Sequence, residues 1–245
     1  MKIINGIAFG LITTLLLTNC SKQQGNESDK TIFRPDTENF KGEKYQLDTL
    51  NSVITWIGSK PTGQHNGTIN IDSGTIYTSE GNIISGQIYI DIKSIDIKDL
   101  KKQPEKFDKL KKHLISEDFF AADSFPVGIF EISQIIPFDS SIQINSKEEF
   151  ESDYMPASNQ EFMIKHPTHF IYGNLELKGI TRSIEFPAIV TLKNNTIKAE
   201  GKFNIDRTRW NISYQDEASV LDKLKDKFIY NTVNVGFSIE ASLQD

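Results

Sequence analysis

Few residues in this 245-residue chain could do chemistry on their own. The only cysteine, Cys20, closes Leu17-Thr18-Asn19-Cys20, the end of a mostly apolar run that starts at Ile3 behind the positive charge of Lys2. The run is too short for a comfortable membrane span, so it reads as an export signal, residues 1–19, whose following thiol is a lipidation acceptor. Asn19 stands where Gly, Ala or Ser is usual. No second cysteine is left as a stray thiol in an oxidising compartment. His166 and His169 form the only close histidine pair, and neither a cysteine nor a strand-fixed third ligand accompanies them at zinc spacing. No serine occupies a Gly-x-Ser-x-Gly elbow, and no glycine-rich phosphate loop appears. Carboxylates are numerous but form no readable acid-base pair. The expectation is a protein that is not an enzyme, with no catalytic residue, no metal site and no cofactor.

The formal net charge is −6, and loss of the leader with Lys2 makes it one unit more negative. An acidic chain without a clustered basic face argues against nucleic acid as a partner and against electrostatic attraction to an anionic membrane. Membrane attachment is therefore expected through acyl chains on Cys20, placing a lipoprotein in the bacterial cell envelope, facing the periplasm or the cell surface. The sequence assigns no oligomeric state.

These residues need a scaffold. Residues 20–44 are polar and aperiodic, as a flexible tether would be. Residues 45–245 suit one all-β domain. Strand signals run over 52–58, 67–77, 82–95, 127–136, 169–177, 183–193, 196–205 and 232–243, most of them separated by Gly, Asn, Asp or Pro. Alternation is clearest in Ile88-Ile90-Ile92, in Ile197 to Ile205 and in Val233 to Ala241, giving one dry and one wet face. A two-sheet sandwich and a closed barrel both satisfy that pattern. The exception to strand is a helix-containing connection at about 98–120, where Pro104 suits a first turn and Phe107, Leu110 and Leu114 recur at helical spacing. It leads to an aromatic corner, Phe119-Phe120, which needs covering. A long segment, 137–167, interrupts the strand spacing as an inserted loop at one end.

The ordered motifs identify a family. Tyr45-Gln46-Leu47-Asp48, Ile54-Thr55-Trp56, Gly63-Gln64-His65-Asn66-Gly67, Gly86 to Asp91, His113-Leu114 with Asp118-Phe119-Phe120, and Phe125-Pro126 with Phe130 come first. Gly173 to Thr181 and Phe203 to Trp210 follow. In this order they resemble the YceI-like domain, a lipocalin-like barrel of bacterial envelopes. The resemblance implies an eight-stranded antiparallel barrel holding a long isoprenoid chain, as in polyisoprenoid or quinone-like lipids. Segment 137–167 is longer than the family usually needs.

A site for such a chain should be a deep apolar tunnel with slight polarity at its mouth. The candidate lining is Ile88, Ile90, Ile92, Phe130, Ile132, Phe203, Val235, Phe237 and Ile239, with Phe119 and Phe120 closing or gating one end. The family pattern also singles out His65, His113 and Arg207 as possible head-group contacts. Each has a plainer reading: His65 bonded within its own loop, His113 stabilised by the helix C-terminus, and Arg207 paired with a carboxylate at the strand end. Trp210 is expected, by resemblance, to close the base of the barrel. The alternative function is a ligand-free structural or protein-interaction module of the envelope, its barrel filled by its own side chains.

Overall fold

Strands with one dry face must bury it, and here they do so by closing on themselves. The computed structural model describes residues 42–141, 164–218 and 228–244. Among them lie β1 (Glu43–Leu47), β2 (Val53–Lys60), β3 (Gly63–Ser79), β4 (Asn82–Ile97), α1 (Pro104–Ile115), β5 (Val127–Pro137), β6 (His169–Leu177), β7 (Ile180–Lys193), β8 (Thr196–Asp206) and β9 (Thr232–Leu243). All pairings are antiparallel and sequential from β3 to β9, and β2 closes the ring between β9 and β3. The leader expected at 1–19, nearly all of the tether at 20–44 and most of the insertion at 137–167 lie outside the described residues.

Nine strands make an eight-stranded barrel because β1 and β2 share one position. Tyr45 of β1 pairs with Ile76 of β3 and Leu243 of β9, while Trp56 of β2 pairs with Gly67 and Val235 of the same two strands. Between them the Asp48 carboxylate accepts the amides of Leu50 and Asn51, an Asx-type turn that breaks one long strand into two. Tyr45-Gln46-Leu47 is too short to show alternation, so periodicity alone misses this ninth strand.

Hairpin turns set the register elsewhere. Glu80-Gly81, Lys178-Gly179 and Asn194-Asn195 each carry two successive positive φ angles, the geometry that matches the twist of antiparallel strands. The turn at 178–179 starts β7 at Ile180, three residues before the polar sequence suggests. Bulges re-aim β3 and β4: the register shifts between Thr68 and Asn70 and between Ile71 and Ser73. Ser94 fills one bulge, its hydroxyl accepting the Asn70 amide and donating to the Asp91 carbonyl.

The wall between β7 and β8 is complete over only half its length, from Ala188↔Gly201 to Lys193↔Thr196. Pro187 explains the break. The Ala188 carbonyl and the Val190 amide point toward Thr168 on the β6 side, so alternation turns residue 187 toward β8, where proline has no N–H to give. The Lys202 carbonyl instead accepts the Ile164 amide. Beyond it, Arg182 Nε donates to the Arg209 carbonyl and Arg209 to the Ser183 carbonyl, clasping the seam.

α1 lies across the barrel end where β2, β4, β6 and β8 finish. Pro104 occupies its first turn, and Ser116 ends it by donating its backbone N–H to the His113 carbonyl. Leu114 is buried, with Phe107 and Leu110 packed partly buried against the core.

Candidate functional site

The inward rows do not meet at the centre. They surround a cavity of about 930 Å³, near the top of the roughly 300–1,000 Å³ range of ligand pockets. On β3 its lining extends from Gly63 to Ile76; at about 3.3 Å per residue and a strand tilt of about 40°, that is a depth of roughly 30 Å. Its exposed lining side chains, Lys60, Thr62 and Lys109, lie in the β2–β3 turn and on α1, so the mouth is at the α1 end. Past the cavity's other end, Tyr45, Leu47 and Ala241 pack into a second buried cluster with Ile71, Ile76, Ile88, Ile197 and Ile239.

Four phenylalanines form its waist. Phe186 and Phe203 stack with ring centroids 4.1 Å apart and planes within 4°, while Phe130 and Phe237 approach Phe186 at 5.7 and 5.6 Å. Phe186 is on β7 and Phe203 on β8, so the stack bridges the half of the seam that has no ladder. The Phe237 ring lies over Gly201, where a Cβ would collide with it. At Gly67 a Cβ would collide first with the Asp96 backbone carbonyl of β4, and Trp56 Nε1 lies 2.8 Å from the same point.

The α1 end is capped by an aromatic group that sequence reasoning saw in part. His113 makes edge contacts with Phe119 at 4.9 Å and Tyr214 at 4.5 Å. Phe119 is buried and Phe120 half-buried, within turns where the Phe120 amide bonds the Leu114 carbonyl and the Ala122 amide the Ile115 carbonyl. Lys178 Nζ straps this corner to the end of the short 3-10 helix that follows β8, Arg207–Trp210, donating to the carbonyls of Glu117 and Asn211. Trp210, fully buried, donates its indole N–H to the Leu175 carbonyl at 3.0 Å. It therefore helps close the same end as α1, not the opposite one.

All eleven apolar candidates, Ile88, Ile90, Ile92, Phe119, Phe120, Phe130, Ile132, Phe203, Val235, Phe237 and Ile239, line the cavity, as do His65, His113 and Arg207. The polar three are engaged by the protein. His65 Nδ1 lies 2.7 Å from Asp99 Oδ2, and the Asn66 amide donates to Oδ1 of the same carboxylate. Burial pushes the Asp99 carboxyl up, but the Asn66 amide and the His65 imidazole outweigh it and hold it below the usual range. His65 thus bonds Asp99 from the loop before α1, at the rim where β3 begins beside the end of β4, not its own loop. His113 Nε2 faces Asp118 at 3.2 Å. Arg207 corrects the expectation of a carboxylate partner: its guanidinium is buried and donates to the backbone carbonyls of Tyr230, Ile212, Tyr214 and Ile229. Burial lowers its pKa to about 10, with Asp216, Asp206 and Glu217 acting the other way. It ties together the segments that follow β8 and precede β9.

Sequence reasoning missed Trp56, Ile69, Ile71, Leu175, Ile184 and Phe186, which also line the cavity. Ile69, Ile71 and Ile184 sit on strands whose alternation is interrupted by bulges or polar residues. Among the described residues no three His, Cys, Asp or Glu side chains converge as a metal site.

The model of the YceI-like domain matches residues 45–241. A comparison with curated proteins finds no match. Among solved structures, BcnA of Burkholderia cenocepacia is similar at 17% identity and a TM-score of 0.54, covering 80% of this chain and 99% of its own. A polyisoprenoid binding domain from Saccharophagus degradans, implicated in plant cell wall breakdown, is similar at 15% identity and a TM-score of 0.51, covering 82% of this chain and 98% of its own. At these identities the likeness is one of fold, and the sequence match over residues 45–241 is what assigns the family: the chain belongs to the YceI-like domain family.

Proposed function

We propose that the barrel binds a long apolar lipid of the polyisoprenoid or isoprenoid-quinone type, as a carrier or sequestering protein of the cell envelope held to its membrane by acyl chains on Cys20. The observation that carries the reading is the cavity: about 930 Å³, running most of the barrel's length, apolar along its walls and polar only toward the mouth. A hydrocarbon chain gains affinity along its whole length, about 0.8 kcal/mol per buried CH₂ before the cost of immobilising it, so no single residue need dominate. The relative from Saccharophagus degradans, described as a polyisoprenoid binding domain, supports the same reading. Binding in place of catalysis is favoured because His65, His113 and Arg207 are already held by Asp99, Asp118 and four carbonyls. A purely structural module is less favoured, because its barrel would be filled by its own side chains.

Native mass spectrometry of protein purified from its own membranes, followed by organic extraction, tests this. A bound prenyl lipid is expected. Protein that carries no extractable lipid, and that takes up no prenyl chain from detergent solution, would overturn the proposal and leave the structural module.

A further inference from the structure

The net charge of −6 hides a local excess of the opposite sign. Between Lys98 and His113 stand seven lysines against three carboxylates, Asp99, Glu105 and Asp108. Asp99 is held by His65 and the Asn66 amide, and Lys98 and Lys101 share Asp96. The other five, Lys102, Lys106, Lys109, Lys111 and Lys112, have no ion-pair partner among the described residues; Glu105 and Asp108 stand among them, and Glu117 and Asp118, the latter facing His113, follow the helix. Elsewhere on the barrel Lys198 is paired with Glu240.

The fold puts that excess at one place. α1 turns Leu110 and Leu114 toward the barrel, which leaves Lys106, Lys109 and Lys112, spaced three apart, exposed on its outer side. Lys109 also lines the cavity mouth. At the same end two of the few exposed large apolar side chains, Phe125 at 37% and Val127 at 41%, flank the aromatic corner. Exposed lysines ringed with an aromatic side chain are what a surface needs to sit on anionic head groups.

We propose that the α1 end is a docking face for an anionic phospholipid bilayer, held by Lys102, Lys106, Lys109 and Lys112 with Phe125 at the interface, and that it presents the cavity mouth to that bilayer. The face does not depend on what the cavity holds, nor on acylation of Cys20. The test uses the full chain carrying Cys20→Ser, so that no acyl chain forms, floated with vesicles of phosphatidylcholine alone or with phosphatidylglycerol added. Binding should be at least about tenfold tighter to the anionic vesicles, and added salt should remove the difference. Replacing Lys106, Lys109 and Lys112 together by Gln should also remove it, whereas the same change at Lys44, Lys193 and Lys198, which shifts net charge equally at other sites, should not. Equal binding to both vesicles, an undiminished preference in the α1 variant, or an equal loss in the control variant would each overturn the proposal.

Discussion

Gly201→Ala offers a way to shorten the cavity without touching its walls' chemistry. Gly201 is inward-facing on β8, directly opposite Phe237 of β9, and the three atoms nearest a new Cβ all belong to the Phe237 ring, the closest in outright collision. Backbone is not in the way, so the ring moves, and the space available to it is the cavity it already lines. Overpacking of this kind costs about 1–3 kcal/mol, which a barrel of this size should survive. The displaced ring enters the waist beside Phe186, Phe203 and Phe130, separating the mouth half from the half lined by Ile76, Ile88, Ile197 and Ile239. A prenyl chain in the parent protein should gain affinity with each unit added until it reaches the far end, with a ceiling of about 0.8 kcal/mol, or roughly fourfold, per CH₂ buried. In Gly201→Ala the gain should stop at the waist, so that a chain reaching some four carbons further loses up to about 3 kcal/mol, of order a hundredfold. The assay is displacement of a fluorescent probe by prenols of increasing length, with melting curves to show that both proteins are folded. Two superimposable length profiles would refute the argument, because the chain would then not pass Phe237.

Three further outcomes follow from the same geometry. Arg207→Ala leaves four carbonyls without their donor and should cost about 3–5 kcal/mol, lowering the melting temperature by roughly 6–20 °C; Arg207→Lys, with one compact ammonium, should recover only part of this. Asp99 is held below the ordinary carboxylate range, so it contributes stability above the unfolded carboxyl pKa that is lost as pH falls through its folded value; Asp99→Asn should flatten that acid limb of the melting temperature, and an unchanged acid limb would count against it. Phe119→Ala removes the ring that contacts both His113 and Tyr214, and should speed release of a loaded prenol in a stopped-flow transfer assay by more than it lowers the melting temperature of the barrel.

What could be read in the sequence was what alternates without interruption. Ile88, Ile90 and Ile92 share one parity on β4, and Val235, Phe237 and Ile239 one parity on β9, so both rows point inward as a simple period of two requires. Ile95 and Ile97 also face inward but on the other parity, because the bulge around Ser94 shifts the strand. On β3 the shift between Ile71 and Ser73 does the same, separating Ile69 and Ile71 from Ile76. A bulge is fixed by its neighbours' hydrogen bonds and leaves no periodic trace. The site's polar partners were hidden for a related reason: His65 and Asp99 are 34 residues apart, and Arg207 reaches carbonyls on both sides of the segment between β8 and β9.

Pro187 shows how one residue can matter to both closure and capacity. A closed eight-stranded barrel has an interior that side chains fill or that holds one small ligand, and here about 930 Å³ stays free within it. Where the β7–β8 ladder is whole, Ala188, Val190, Ala199 and Gly201 face one another with small or branched side chains. Where Pro187 ends it, the hydrogen-bonded spacing is no longer imposed, and a stacked pair of rings, Phe186 on Phe203, spans the gap. Two facing phenylalanines add aromatic wall where the backbone ladder would otherwise be the wall. The waist of the cavity falls beside the seam because two of the rings that form it, Phe186 and Phe203, face each other across the half that has no ladder.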